Sequence, residues 1–254
     1  MTHTLTDSYM WLLFAYAFVF IALLLSVWQK LGLEKDILIG TIRSTVQLLG
    51  IGYVLHFVFA ADSVWFILLI ILMMILVASW NAASRAKHLS GIFWRISISI
   101  AITEVITMGL LVVLGLVSPT PQYLIPMSGM IIGSSMIVMS LFLTHMNREV
   151  EASRGEIETL LCLGATSRQA VHVVLKRAVK ASMIPTFDTM KTIGLVQLPG
   201  MMTGMIVAGA SPIEAVRYQI LIMLSFSSSA AISAVLISIL SYQLWFTRDS
   251  MLHP

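Results

Sequence analysis

Seven stretches of roughly 20 apolar residues, separated by short polar segments, dominate what this chain can fold into. They fall at residues 9–28, 37–59, 64–79, 96–117, 123–144, 184–210 and 217–242. A bilayer core is about 30 Å thick, and a helix crosses it in about 20 residues. Inside it no water pairs with the backbone, so each segment must satisfy its own N–H and C=O groups, which a helix does. The repeated runs therefore predict an all-α integral membrane protein, a single transmembrane domain over residues 1–254 with about seven spans and lipid as its solvent. Composition agrees: 58% of residues are hydrophobic and 11% charged, a balance that the core of a soluble domain does not need.

Charge placement orients the spans. The chain starts with a polar segment containing Asp7, continues into the first apolar run, and only then reaches Lys30 and Lys35. A cleavable signal peptide has the opposite order, so the first run reads as an uncleaved span with its N-terminus outside. Seven spans from that start put Lys30, Lys35, Arg85, Lys87, Arg95 and Arg248 on the cytosolic side, along with the basic residues of the segment 147–180. Only Arg217 is left outside. Shifting the count by one span would scatter these cations, so the positive-inside rule supports seven. The expectation is a multi-pass protein of a bacterial inner membrane or plasma membrane, C-terminus cytosolic, with no nucleic-acid partner. Cys162 is the sole cysteine and stands in a polar segment, which excludes an intrachain disulfide and suits a reducing compartment.

The segment 147–180, between spans five and six, is the one long polar stretch. It carries Arg148, Glu149, Glu151, Arg154, Glu156 and Glu158, while apolar positions recur at helical spacing at Val150, Ile157, Leu160 and Leu161, then at Val171, Val174, Leu175 and Val179. Leu163-Gly164-Ala165-Thr166 interrupts the pattern, with Gly164 suited to ending one helix and Thr166 to capping the next. A helical hairpin this charged lies outside the hydrocarbon, and the orientation above places it in the cytosol.

Polar residues within the runs are the candidates for chemistry. Glu104 lies about eight residues into the fourth run, and on a helix Ser97, Ala101, Glu104, Thr107 and Met108 form one stripe. The stripe reads either as part of a transport path in which Glu104 is a cation or proton ligand, or as a hydrogen-bonded carboxyl that joins helices. Asp188 and Lys191, three apart on one helix face, read as a neutralising pair near the cytosolic boundary. Arg43 near the start of the second run reads as a snorkelling cation, and His56 as an interfacial residue. Gly129 and Gly133, then Gly200, Gly204 and Ala208, form two small-residue seams for helix packing. Prolines and glycines interrupt the sixth run, which is expected to be kinked or discontinuous. Met127, Met130, Met136 and Met139 read as packing methionines rather than soft-metal ligands, and Ser225, Ser229 and Ser233 as a packing stripe rather than a pore lining.

A wider pattern resembles a known family. Glu34-Lys35-Asp36-Ile37-Leu38, Gln47-Leu48 with Gly52-Tyr53-Val54-Leu55, Trp80-Asn81-Ala82, and Ile125-Pro126-Met127-Ser128-Gly129-Met130-Ile131 look like the FetB (YbbM) family. So do Leu163-Gly164-Ala165-Thr166, Ile184-Pro185-Thr186 with Asp188, the run Lys191-Thr192-Ile193-Gly194-Leu195-Val196-Gln197-Leu198-Pro199-Gly200-Met201-Met202, and Tyr218-Gln219-Ile220. That resemblance implies a permease subunit of an iron-exporting ABC transporter. Its partners would be a separate cytosolic ABC ATPase, a second copy of the permease, and a metal ion as cargo. The hairpin is similar to the ATPase-coupling loop of such permeases through Glu158 and Gly164, although Thr159 and Leu160 stand where that loop has alanines. The resemblance thus implies a coupling role for Glu156, Glu158, Leu163, Gly164, Ala165, Thr166 and Arg168.

No G-x-x-x-x-G-K-[ST] occurs in the sequence, so the chain is not expected to be an enzyme or to bind a cofactor itself; ATP and Mg would sit on the partner ATPase. Glu104 is the expected metal ligand, with Thr107, Met108, Asp188 and Lys191 in the path. Two rivals stay open, an ABC permease for an organic substrate such as a nucleotide sugar, and a proton-coupled secondary carrier using Glu104 as relay.

Overall fold

The structure is a computed structural model that describes residues 5–61, 64–87, 89–247 and 251–252. The expectations placed on the N-terminal residues, His88 and Arg248 lie outside them, as do the side chains of Asp7 and His56. All the regular structure described is helical, and the contacts gather the chain into two units, Met1–Asp62 and Ser63–Pro254.

The first unit is an antiparallel pair, α1 (Leu5–Trp28) and α2 (Glu34–Ala61). The turn between them passes through Lys30 at φ 51 and Gly32 at φ 70. The Ser26 hydroxyl closes the turn, donating to Glu34 Oε1 at 2.7 Å and accepting from the Leu33 N–H at 3.2 Å. Midway along, Tyr16 OH and Thr45 Oγ1 share a hydrogen bond of 3.0 Å.

The second unit holds α3 (Val64–Ala83), α4 (Ile92–Val113), α5 (Pro121–Ala152), α6 (Arg154–Cys162), α7 (Ser167–Ala170), α8 (His172–Thr192), α9 (Gly200–Val207) and α10 (Pro212–Ser241), with short 3-10 turns at Ser84–Ala86 and Tyr242–Trp245. α5 is the hub, with α3, α4, α8 and α10 all packed on it. Phe142, Met139, Leu143 and Met146 of α5 are completely buried beside Ile96 and Ile100 of α4 and Ile237 of α10. This cluster continues into the polar end of the bundle through Ile157, Ala170, Val171 and Val174. A second cluster closes the opposite end, where Met108 and Leu111 meet Met127, Ile131 and Ile222. Between them Val138, Met183, Ala230 and Ala234 join α5, α8 and α10. Ala230 and Ala234, small and fully buried, let backbones approach where lipid gives little hydrophobic drive for association.

Among the described residues five helices are long and apolar enough to cross a membrane, with spans at Glu34–Leu55, Val64–Ala86, Ile92–Val113, Pro121–Ala152 and Pro212–Trp245, and Tyr16–Trp28 is a shorter apolar helix. The protein is a multi-pass membrane protein. Several boundaries differ from the sequence reading. The third span gains a turn through Trp80 and Ala83. The fourth begins a turn early at Ile92 and stops at Val113, because Gly115 at φ 66 turns the chain. α5 starts at Pro121, whose missing N–H costs nothing in a first turn, and continues to Ala152, so residues 147–152 belong to the span helix rather than to the hairpin. The largest difference concerns 184–210. α8 runs through Pro185 and ends at Thr192, whose carbonyl accepts from the N–H groups of Leu195, Val196 and Gln197. Gly194 at φ 84 and the Ile193–Gln197 bridge fold residues 193–199 into a tight loop, and the eight-residue α9 follows. Leu195 at its tip is 91% exposed.

Candidate transport and coupling sites

The hairpin tip is built from two local signals that fit each other. α6 ends in a Schellman motif: the Gly164 N–H donates to Leu161 O and the Ala165 N–H to Leu160 O, both at 3.0 Å, with Gly164 at φ 89 in the left-handed region that a side chain resists. One residue later Thr166 caps α7 in a capping box. The Gln169 N–H donates to Thr166 Oγ1 at 3.4 Å, and the Thr166 N–H donates to Gln169 Oε1 at 2.9 Å. The turn thus satisfies its own backbone groups and leaves its side chains outward. Leu163 is 79% exposed, Glu156, Glu158, Gly164, Thr166 and Arg168 are exposed, and Ala165 is half-buried. Arg154 Nε pairs with Glu158 Oε1 at 2.9 Å along the outer face of α6.

Beneath this tip the hairpin is anchored. Ile157, 1% exposed, and the buried Ala170 and Val171 pack into the core of the bundle. Arg177 of α8 reaches Glu149 of α5 at 3.7 Å, a partly exposed pair of modest strength. Two further ties were not anticipated from the sequence. Trp245 donates its indole N–H to Asn147 Oδ1 at 3.0 Å, fastening the chain after α10 to the point where α5 leaves the bundle. Phe246 and Leu252 bridge to each other and bury against the same core. The signal was present as an aromatic pair, Trp245-Phe246, just after the last apolar run.

Glu104 lies half-way along α4 and is 5% exposed. Ser97, Thr107 and Met108 of its stripe are buried with it, and Ala101 is half-buried. The hydroxyls on α4 are occupied within the helix: Thr103 donates to Ser99 O at 2.8 Å and Thr107 to Thr103 O at 2.7 Å. Neither oxygen of the Glu104 carboxyl has a hydrogen-bond partner among the described residues. Ser128, Ser134, Ser135 and Gln219 Oε1 are buried and unpartnered as well. Ser128 and Ser135 are two turns apart on one face of α5. By contrast Ser225, Ser229 and Ser233 of α10 each donate to their own helix backbone, at 2.8, 2.8 and 3.0 Å, which leaves them as packing groups.

The remaining candidates are dispersed. Asp188 and Lys191 pair at 3.6 Å with both side chains well exposed. They stand about 24 Å along α8 from His172, at 1.5 Å per residue, so the pair lies at the end of α8 away from the hairpin rather than beside it. A Cβ on Gly129 would meet Met74 Cε at 3.9 Å, while Gly133, Gly200 and Gly204 have nothing within 4 Å of such a position, and Ala208 is exposed. Among the described residues no three His, Cys, Asp or Glu side chains come together. Glu104 therefore belongs to no three-residue cluster of such ligands among the described residues.

Known proteins resemble this chain along nearly its whole length. It is 50% identical to the UPF0014 membrane protein YjkA of Bacillus subtilis (strain 168) over 92% of this chain and 94% of that protein. It is 36% identical to the "Probable iron export permease protein FetB" of Escherichia coli (strain K12) over 99% and 96%. It is 40% identical to the UPF0014 membrane protein STAR2 of Oryza sativa subsp. japonica over 92% and 82%. No solved structure matches it. Residues 9–246 match the family described as "Uncharacterised protein family (UPF0014)", and with relatives this similar across the same length, the chain belongs to the UPF0014 family of membrane proteins.

Proposed function

We propose that this protein is the membrane-spanning permease subunit of an ATP-driven ABC transporter, and that its cargo is a metal ion moved outward across the cell membrane. The observation that carries this reading is the hairpin: an exposed, self-capped tip with Leu163 at its apex, mounted on a buried anchor of Ile157, Ala170 and Val171. A loop that only linked two spans would need neither the anchor nor the internal capping. A groove on an ATPase would grip Glu156 to Arg168, and the force would pass into α5 and α8 as rigid levers.

In this reading seven spans cross the bilayer, the sixth being α8 with the broken α9, with the N-terminus outside and the hairpin and C-terminus in the cytosol. ATP and Mg sit on the partner ATPase, and two permeases pair in the complex. The open positions at Gly133, Gly200 and Gly204 suit close approach of the second copy. Glu104 lines the path with Ser128 and Ser135, a weak oxygen-donor set that lets a partly hydrated cation pass without trapping it. Thr107 and Met108 flank it, and Asp188 and Lys191 stand toward the outer side. The name of the Escherichia coli relative, a probable iron export permease, supports iron as cargo.

The test is reconstitution of the full chain with its cognate ATPase in liposomes, titrating vanadate-sensitive ATP hydrolysis with Fe(II) and other divalent metals for wild type and Glu104→Gln. Stimulation by metal that disappears in the variant is expected. Hydrolysis indifferent to every metal would overturn the cargo and favour an organic substrate such as a nucleotide sugar. Absence of any stoichiometric ATPase on co-purification would overturn the permease reading itself and favour a proton-coupled carrier.

A further inference from the structure

A basic cavity of about 490 Å³ opens where the first turn of α4, the start of α8 and the end of α10 meet. Arg95, Arg168, Tyr242 and Gln243 supply its polar lining, and Leu175, Ile239 and Leu240 its apolar wall. A second cavity of about 450 Å³ shares Arg168, Tyr242 and Gln243 and adds the hydroxyls of Thr166, Ser167 and Thr247. Among the described residues no acidic side chain lines either one. Arg95 is held in place by an Nη1 hydrogen bond to Leu240 O, the carbonyl next to the end of α10, which uses one of its five N–H donors. Arg168 has no ion-pair partner among the described residues. Two guanidinium groups, a phenol and an amide thus converge on one space with donors to spare, and no described carboxylate answers them. That donor set matches a phosphate group, whose oxygens accept from guanidinium in pairs.

Depth in the membrane says which phosphate. Trp80 at the end of α3 and Trp94 beside Arg95 are 76% and 65% exposed, and Phe93 packs edge-on between them at centroid distances of 6.3 and 5.4 Å. Outward-facing tryptophans at helix ends mark the headgroup level of a bilayer. That places the cavity at headgroup depth, and its apolar wall, with Ile239 51% exposed, can follow an acyl chain inward.

We propose that this cavity binds the phosphate of an acidic phospholipid, clasped by Arg95 and Arg168 between the transmembrane bundle and the hairpin. Because Arg168 belongs to the hairpin and Arg95 to α4, a bound headgroup ties the two together and makes the stance of the hairpin sensitive to the surrounding lipid. The site does not depend on the cargo, but it shares Arg168 with the segment that the proposed ATPase groove would grip.

The experiment uses the full chain, purified in mild detergent and exchanged against phosphatidylglycerol or phosphatidylcholine, with retained lipid counted by native mass spectrometry. Arg168→Gln is compared with wild type, with Arg168→Lys, and with Lys180→Gln, which removes an exposed cation that lines neither cavity. Wild type is expected to retain phosphatidylglycerol in preference to phosphatidylcholine. Arg168→Gln should weaken retention about tenfold or more, as loss of a charge-assisted contact implies, with Arg168→Lys intermediate and Lys180→Gln unchanged. Arg168 is exposed and not part of the core, so its variant remains folded even if Arg95→Gln, which uncaps α10, does not. Displacement of the retained lipid by millimolar inorganic phosphate would show that the site reads phosphate alone; resistance to it would show that the acyl chain is part of recognition. No preference for the acidic lipid, or an equal loss in Lys180→Gln, would overturn the proposal.

Discussion

Gly164 offers a perturbation whose magnitude follows from backbone geometry alone. Its φ of 89 lies in the left-handed region, and a Cβ added there would meet no atom of the described residues within 4 Å. Substitution therefore creates no clash with neighbours, and the whole cost is conformational. For an ordinary residue that cost is about 1–2 kcal/mol, with asparagine below the range and a β-branched residue above it. The structure also supplies the reporter, because the Ala165 N–H donates to Leu160 O only while the turn is closed. Hydrogen exchange at this amide measures the local opening. At about 1.4 kcal/mol per tenfold, Gly164→Ala should accelerate exchange about 5- to 30-fold, Gly164→Asn less, and Gly164→Val more. Amides in the middle of α5, such as Phe142, should be unaffected. Equal rates for alanine and valine, or asparagine faster than alanine, would refute the conformational argument. If the hairpin couples to an ATPase, cargo-stimulated hydrolysis should fall in the same order.

Two further outcomes follow from the anchor of the hairpin. A double-mutant cycle of Trp245→Phe and Asn147→Ala should give a coupling of about 1 kcal/mol in thermal unfolding, the net worth of one hydrogen bond; strict additivity would show that the 3.0 Å contact contributes nothing. Ile157→Ala removes a side chain that is 1% exposed and should cost about 2–4 kcal/mol, visible as faster proteolysis within residues 147–180 while the bundle stays intact. Proteolysis at the wild-type rate would mean that the hairpin is not held by this contact.

Much of this architecture is legible in residue order because its signals are local. Runs of apolar residues predict helices in a membrane since hydrocarbon leaves the backbone no other way to satisfy its hydrogen bonds. Gly164 and Thr166 predict a helix end and a helix start since one tolerates positive φ and the other accepts an N–H, and both act within four residues of themselves. The serine stripe of α10 reads as packing for a similar reason, as each hydroxyl bonds to a carbonyl three or four residues back.

What the order of residues left undecided is set by contacts distant along the chain. The break after Thr192 was foreseen as an irregularity, but only the folded chain decides that α8 stops there and that residues 193–199 close on Thr192 O. Whether Glu104 finds a partner depends on how α4 meets α5, and the stripe pattern alone could not say that the neighbouring hydroxyls on α4 are already taken by their own backbone. Arg95 meets Leu240 across 145 positions and Trp245 meets Asn147 across 98. Periodicity and spacing carry no trace of such pairs, because they arise from the angle at which helices cross. By itself the sequence determined a helical membrane protein with a capped polar hairpin, since those features follow from local hydrogen bonding and the solvent. The tertiary structure decided the anchor of that hairpin, the isolation of Glu104 and the basic cavity beside Arg95, since each exists only where separate helices are packed together.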